Sequence, residues 1–467
     1  MESELSIKDY IYLAVFLLAA FFLFKLSLPA LIFLLLVFAF VVFIAKPDLI
    51  LYLTAALSLP IGLRLSLARF SWIREDFPAL AALNAPWVDF IALFGLGVLT
   101  VVSLLKIKGY SFSALVKKDY CFKYYLPFLL SGFISAWLVF APGMINDSLY
   151  YVVRNLLFVY LAFVVLPVAL IDDRDTLERV LWVLFWSGFA VACFGGIAFI
   201  RDLTFGGWPR VVPFSIYSWA PLKYNHNILA ESLVAVVPAA VYLSATRNKA
   251  KIKRWMFAAT SFIVLVCVLT LSRAAWLSLS VQGVLALFVF KERVKNLFKR
   301  RKELKYLLIA GLVPSVGYML YFLTSHVITS SNVWRIEVLK IVWFYFQDSP
   351  FFGYGPGTFL TMLEQVKSYV INFGEPLDAH GFVQKILLEQ GVIGLAAFGS
   401  FLSAVFYKVW RRQRGAHIDR LMLAALLISA VGAVFFQLFN TSYYNVHMWL
   451  PIGLALAGAN VVKDVRF

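Results

Sequence analysis

Apolar runs near 18 residues recur along most of this 467-residue chain. Each is long enough to cross a hydrocarbon layer of about 30 Å as a helix. Inside such a layer no water satisfies backbone N–H and C=O groups, so only helices and closed barrels can span it. The runs are about twice as long as barrel strands and lack their alternating pattern. The chain is therefore read as an all-α, polytopic membrane protein. Its 14% of charged residues fits that class, because a soluble chain carries roughly 25%.

The spans fall near 10–24, 27–45, 49–64, 89–105, 124–141, 150–171, 179–200, 228–245, 255–271, 274–290, 306–323, 382–407, 421–438 and 445–461. The first three are short and closely spaced, so about 12–14 transmembrane helices are expected in a single membrane domain over residues 1–467. The N-terminal stretch mixes acids and bases and runs into the first span without a small-residue cleavage site, which reads as a signal anchor. Cys121, Cys193 and Cys267 are far apart, with neither a disulfide framework nor metal-ligand spacing.

A net charge of +17 raises the question of nucleic acid, but its distribution answers it. Loops 246–254, 291–305 and 408–420 carry five, eight and five Lys or Arg against three acids. Short basic loops beside spans follow the positive-inside rule and mark the cytoplasmic side. Both termini then face that side. Segment 324–381, with three Lys or Arg against five Asp or Glu, becomes one large outer loop. Stretch 64–88 also falls outside despite Arg64, Arg69 and Arg74, and is expected to lie in the interface, with Phe70, Trp72 and Phe77 among its charges.

Candidate chemistry collects on the outer side. Arg273 sits between two apolar runs that are together too long for one span, so a tight reversal is expected near Ser272. A buried Arg is costly in a bilayer and is usually paired or functional; the blander reading is a snorkelling turn residue. Arg335 follows Ser331 and Asn332, which are good N-caps for an apolar helix. Pro350 should end that helix. Gly353, Gly355 and Gly357 then allow a sharp turn and a close approach to a ligand, although the run lacks the ending of a phosphate-binding loop. His380 lies just before the span at 382 and can act as a general base near neutral pH. Asp378 beside it is a poor metal site alone, and no metal or other cofactor is expected. Glu389 and Gln390, further along that span, would be costly without partners. Asn225, His226 and Asn227 can cap the next helix or bind a sugar, and Arg210 is a further outer cation.

The ordered set SRAAW at 272–276, WRIEVLKIVWFYFQDSPFFGYGPGTF at 334–359 and AHGFVQKILLEQGVIGL at 379–395, preceded by NHNILA at 225–230, resembles the O-antigen ligase and polymerase superfamily of membrane glycosyltransferases over roughly residues 200–400. Many members carry Asn after the motif His, where this chain has Gly381. The resemblance implies a GT-C-like enzyme of the bacterial inner membrane with a periplasmic active site. It would pass a glycan from undecaprenyl pyrophosphate to an acceptor such as lipid A-core, another lipid-linked glycan or a protein hydroxyl, by metal-independent inversion. Arg273 and Arg335 would bind the pyrophosphate and His380 would be the base. Arg210, Asn225, Asn227, Gly355, Gly357 and Asp378 are further substrate-binding candidates. Ligase and polymerase share these motifs and differ in acceptor. A transporter would instead show mid-span charges and two related halves, whereas mid-span charges are few and no repeat is evident.

Overall fold

The computed structural model describes residues 39–66, 84–107, 111–139, 142–204, 210–215, 220–290, 326–376, 378–415, 419–440 and 443–462. The expected spans at 10–24 and 306–323, residues 27–38 of the second, the basic loop 291–305, and residues 67–83 with Arg69, Phe70, Trp72, Arg74 and Phe77 lie outside the described residues.

The protein is an all-α, polytopic membrane protein. In chain order, α1 (Asp48–Ser58) leads to a short antiparallel pair, β1 (Arg64–Ser66) with β2 (Asn84–Pro86). Then come α2 (Trp87–Leu104), α3 (Phe122–Trp137), α4 (Ile145–Leu170), α5 (Arg174–Thr204), α6 (His226–Thr246), α7 (Ala250–Leu269) and α8 (Arg273–Val289). Residues 326–373 contain α9 (His326–Asp348), α10 (Phe359–Glu364) and α11 (Lys367–Phe373). Helices α12 (Phe382–Gly415), α13 (Arg420–Gln437) and α14 (Val446–Val461) complete the fold. Among the described residues, seven helices are long and apolar enough to cross a membrane; α8 and α14 are shorter apolar helices, and α1 meets Ala39–Ala45 at 113°.

Helices α6, α13 and α14 form the centre. Residues Leu229–Ala240 of α6 and Val446–Ala459 of α14 are buried without a break, so these helices present no lipid-facing stripe. Small residues let them pack closely. A Cβ on Gly453 would stand 2.0 Å from the Phe163 carbonyl oxygen of α4.

The bonds at the helix ends sort the loops into two sets. At the basic end, Arg247 pairs with Glu178, Arg174 with Asp419 at 3.0 Å, and Lys408 with Asp119 at 3.1 Å. At the opposite end, Gly62 N–H donates to Pro221 O at 2.8 Å, Val211 N–H to Leu269 O at 2.8 Å, and the Ser272 hydroxyl to Asn227 Oδ1 at 2.7 Å. The segment containing α9–α11 joins the second set through Asp378 at its end, which accepts from Tyr444 in the turn between α13 and α14 at 3.3 Å.

Three local expectations are corrected. The helix bearing Arg335 starts at His326, so Ser331 and Asn332 are interior positions, not N-caps. The run near 49–64 stops as a helix at Ser58, and residues 64–66 and 84–86 of the expected interfacial stretch are paired strands. The span from 382 is broken at Gly391, whose φ of 66° and ψ of −166° leave the helical region. That break exposes backbone groups which the Gly-rich turn satisfies. Leu388 O accepts from Tyr354 N–H at 3.0 Å and Glu389 O from Gly355 N–H at 2.9 Å, while Val392 N–H donates to Pro350 O at 2.8 Å. The two backbones touch: a Cβ on Gly391 would lie 2.3 Å from the Phe351 backbone, and one on Gly353 would lie 2.4 Å from Leu388 O.

This interlock makes a prediction of opposite signs on one helix. Gly391→Ala combines a positive φ with a backbone collision and is expected to destabilise the protein by more than about 1–3 kcal/mol. Gly399, where an added Cβ would meet nothing within 4 Å, should gain about 0.5–1 kcal/mol as Ala. Thermal melts in detergent check both, and equal shifts would contradict the interlock.

Candidate functional site

The reversal expected near Ser272 is present. Leu271 adopts φ of 55°, Ser272 occupies the N-cap position of α8 without a capping bond from its side chain, and Arg273 is the first residue of that helix. The Ser272–Asn227 bond fastens this turn to α6. Asn225 caps α6 by accepting from Asn227 N–H at 2.8 Å, so its side-chain oxygen serves the fold. Arg210 borders the same turn through Val211, and its charge reaches His226.

Arg335 lies on α9 between two different faces. Trp334, Val338, Ile341 and Val342 pack inward, whereas Val333, Ile336, Leu339 and Trp343 are exposed. The inward face meets Phe359, Met362, Tyr369 and Ala379, a small core that ties α9 to α10, α11 and the His380 turn. Trp334 is the joint. Its ring meets the His380 ring edge-on with centroids 4.5 Å apart, and its indole N–H donates to Tyr369.

Arg273 acts electrostatically on Arg335, and both act on His380, although Arg335 lies on α9, His380 on the turn before α12 and Arg273 at the start of α8. Each is half-buried. Burial, and then the nearby Arg273 charge, hold the Arg335 guanidinium down at about 10. Burial, then Arg335, then Arg273, push His380 down to about 4, with Asp378 pulling the other way. His380 is therefore neutral at pH 7. Its buried Nδ1 and the buried Nε of Arg335 have no hydrogen-bond partner among the described residues. Two half-buried guanidiniums that act on each other electrostatically form an arrangement that an anion stabilises.

The other candidates have protein partners. Asp378 Oδ1 accepts from Lys385 Nζ at 2.6 Å and from Ala379 N–H at 3.0 Å, and Oδ2 accepts from Tyr444 at 3.3 Å. Gly355 and Gly357 have φ of 103° and 84°, yet their close approaches are to Val139, Ser148 and Tyr151. Gly381 accounts for the departure from the usual Asn: a Cβ there would stand 2.5 Å from Leu438 O. Sequence reasoning missed Lys385 as the partner of Glu389, although the two stand four apart on one helix, 3.8 Å from nitrogen to oxygen. It also missed Trp334, whose only signal was its place beside Arg335.

The described residues leave an apolar cavity of about 830 Å³ between α6, α7, α8 and α13, which runs from Leu271 and Trp276, next to the Arg273 turn in sequence, to Phe290 and Leu421 at the basic end.

Residues 257–399 match the family model described as O-antigen ligase. The chain is 25% identical over 253 residues to the O-antigen ligase of Salmonella typhimurium, covering 51% of this chain and 58% of that protein. It is 27% identical over 140 residues to the teichuronic acid biosynthesis protein TuaE of Bacillus subtilis, covering 29% of this chain and 28% of that protein. Each match thus spans less than two thirds of the relative. The chain is O-antigen ligase-like over its central region, which includes Arg273, Arg335 and His380 but not Arg210, Asn225 or Asn227.

Proposed function

We propose that this O-antigen ligase-like chain is a glycosyltransferase that moves a glycan from undecaprenyl pyrophosphate to an acceptor hydroxyl on the outer side of the bacterial inner membrane, with lipid A-core as the acceptor. What supports the reading is that two half-buried guanidiniums, on α8 and α9, act electrostatically on each other and on one neutral imidazole.

In the step, the acceptor oxygen bonds to the anomeric carbon and the bond from that carbon to the diphosphate oxygen breaks. The electron pair leaves with undecaprenyl pyrophosphate. Arg273 and Arg335 hold the diphosphate, and their fixed charge offsets the negative charge that grows on it. His380 takes the hydroxyl proton. The end of the apolar cavity lined by Leu271 and Trp276 receives the first prenyl units. Arg210 and Asn227 border the glycan, and Asn225 contributes only as a helix cap. The face of α9 that bears Val333, Ile336, Leu339 and Trp343 suits the lipid interface.

Purified protein supplied with the lipid-linked glycan and lipid A-core, with and without EDTA, tests this reading. Transfer to the core that survives EDTA is expected. Elongation of the lipid-linked glycan alone would make the chain a polymerase, and no turnover with either acceptor would overturn the enzymatic reading.

A further inference from the structure

Behind the His380 turn lies a buried charge cluster that the transfer step does not call for. Lys385 is 4% exposed and Glu389 fully buried. The Lys385 ammonium stands 2.6 Å from Asp378 Oδ1 and 3.8 Å from Glu389 Oε1. The rings of Tyr151, Phe359 and Tyr444 surround it at 5.6, 5.8 and 5.5 Å. Glu389 Oε1 accepts from Phe359 N–H at 3.4 Å, and Tyr444 donates to the second oxygen of Asp378.

Stability alone does not explain such a cluster, because well-packed apolar side chains often serve as well or better in a buried site. What it does here is join parts. Asp378 belongs to the turn that carries His380. Glu389 belongs to the helix that breaks at Gly391, and Phe359 opens the helix after the Gly-rich turn. Tyr444 precedes α14, and Tyr151 lies on α4. On the other side of His380, Gly381 rests against Leu438 O. The imidazole is thus gripped from both flanks, by Asp378 through Lys385 and by the backbone at Gly381.

We propose that Lys385 is a positioning residue for glycan transfer: by binding Asp378 and Glu389 together it fixes the His380 turn against the Gly-rich turn, and so sets the imidazole relative to Arg335. The inference rests on the proposed transfer reaction. A misplacement of about 1 Å at such a site costs about 10²-fold in rate.

The test compares wild type, Lys385→Met, Asp378→Asn and the double variant, each purified as folded protein and assayed with the lipid-linked glycan and lipid A-core. Lys385→Met is expected to lower kcat by about 10²-fold while the donor KM stays within about twofold. Because both substitutions break one contact, the double variant should be no slower than the slower single variant. A folded Lys385→Met protein with wild-type kcat, or losses that multiply in the double variant, would overturn the proposal. So would a rise in acceptor KM for Asp378→Asn that Lys385→Met does not share, since Asp378 would then touch substrate. If Lys385→Met does not fold, Tyr444→Phe removes only the hydroxyl on Asp378 and must show the same split, a kcat loss of about threefold at unchanged KM; an unchanged kcat overturns the proposal. Wild-type protein without turnover would instead defeat the transfer reading itself.

Discussion

Replacing His380 with Ala is expected to lower kcat for glycan transfer by about 10²–10⁴-fold, the range of a lost general base, while the lipid-linked donor still binds. The turn that carries the imidazole is held by Asp378 on one side and Gly381 on the other, and both contacts survive the substitution. The protein should therefore fold. The pH profile carries the sign. His380 is pushed down to about 4 by burial, Arg335 and Arg273, so in the free enzyme it loses its proton well below neutrality. The acid limb of kcat/KM should lie near that value. A bound diphosphate offsets both guanidiniums, so the acid limb of kcat, which reports the loaded enzyme, should lie higher. Donor binding thereby makes the imidazole a stronger base when it is needed. An active His380→Ala enzyme, or identical acid limbs for kcat and kcat/KM, would remove the base from the mechanism.

Arg335→Met and Arg273→Met are each expected to lower kcat/KM by about 10²–10³-fold, the loss typical of one donor to a developing negative charge. Arg335→Lys should recover little of this, because an ammonium cannot reproduce the planar fork that meets two phosphate oxygens. Arg335→Met should also raise the acid limb of kcat/KM, since Arg335 is among the charges that hold His380 down. Stability separates this role from a structural one. Arg335 is half-buried beside a like charge, and both conditions disfavour its ionised form. Its removal should leave the melting temperature unchanged or raise it. A fall in activity matched by a fall in stability would instead make Arg335 a structural residue.

The helical plan was legible because the physics of a bilayer is severe. Spans expected at 89–105, 228–245, 421–438 and 445–461 lie within about one to two residues of Trp87–Leu104, His226–Thr246, Arg420–Gln437 and Val446–Val461. The reversal at Ser272 and the Asn225 cap were also readable, because both are local devices. What sequence could not supply was the fit between distant backbones. Gly353, Gly355 and Gly357 announced a turn, but they approach the protein, not an open site, and the partner of that turn is a helix break at Gly391. Ser331 and Asn332 were good caps by type, yet an apolar helix packed against α10 and α11 continues through them. Lys385 was hidden because one buried cation serves two carboxylates, one of them on the turn before its own helix.

Locating the donor diphosphate decides whether Arg273, Arg335 and His380 form one site. A cryo-electron microscopy map of the His380→Ala protein in a lipid nanodisc, loaded with the undecaprenyl-pyrophosphate glycan, is predicted to show both phosphates between the guanidiniums of Arg273 and Arg335. The prenyl chain should enter the cavity beside Trp276, and the anomeric carbon should face the space left by the imidazole. Diphosphate density bound elsewhere, with Arg273 and Arg335 untouched, would contradict the account.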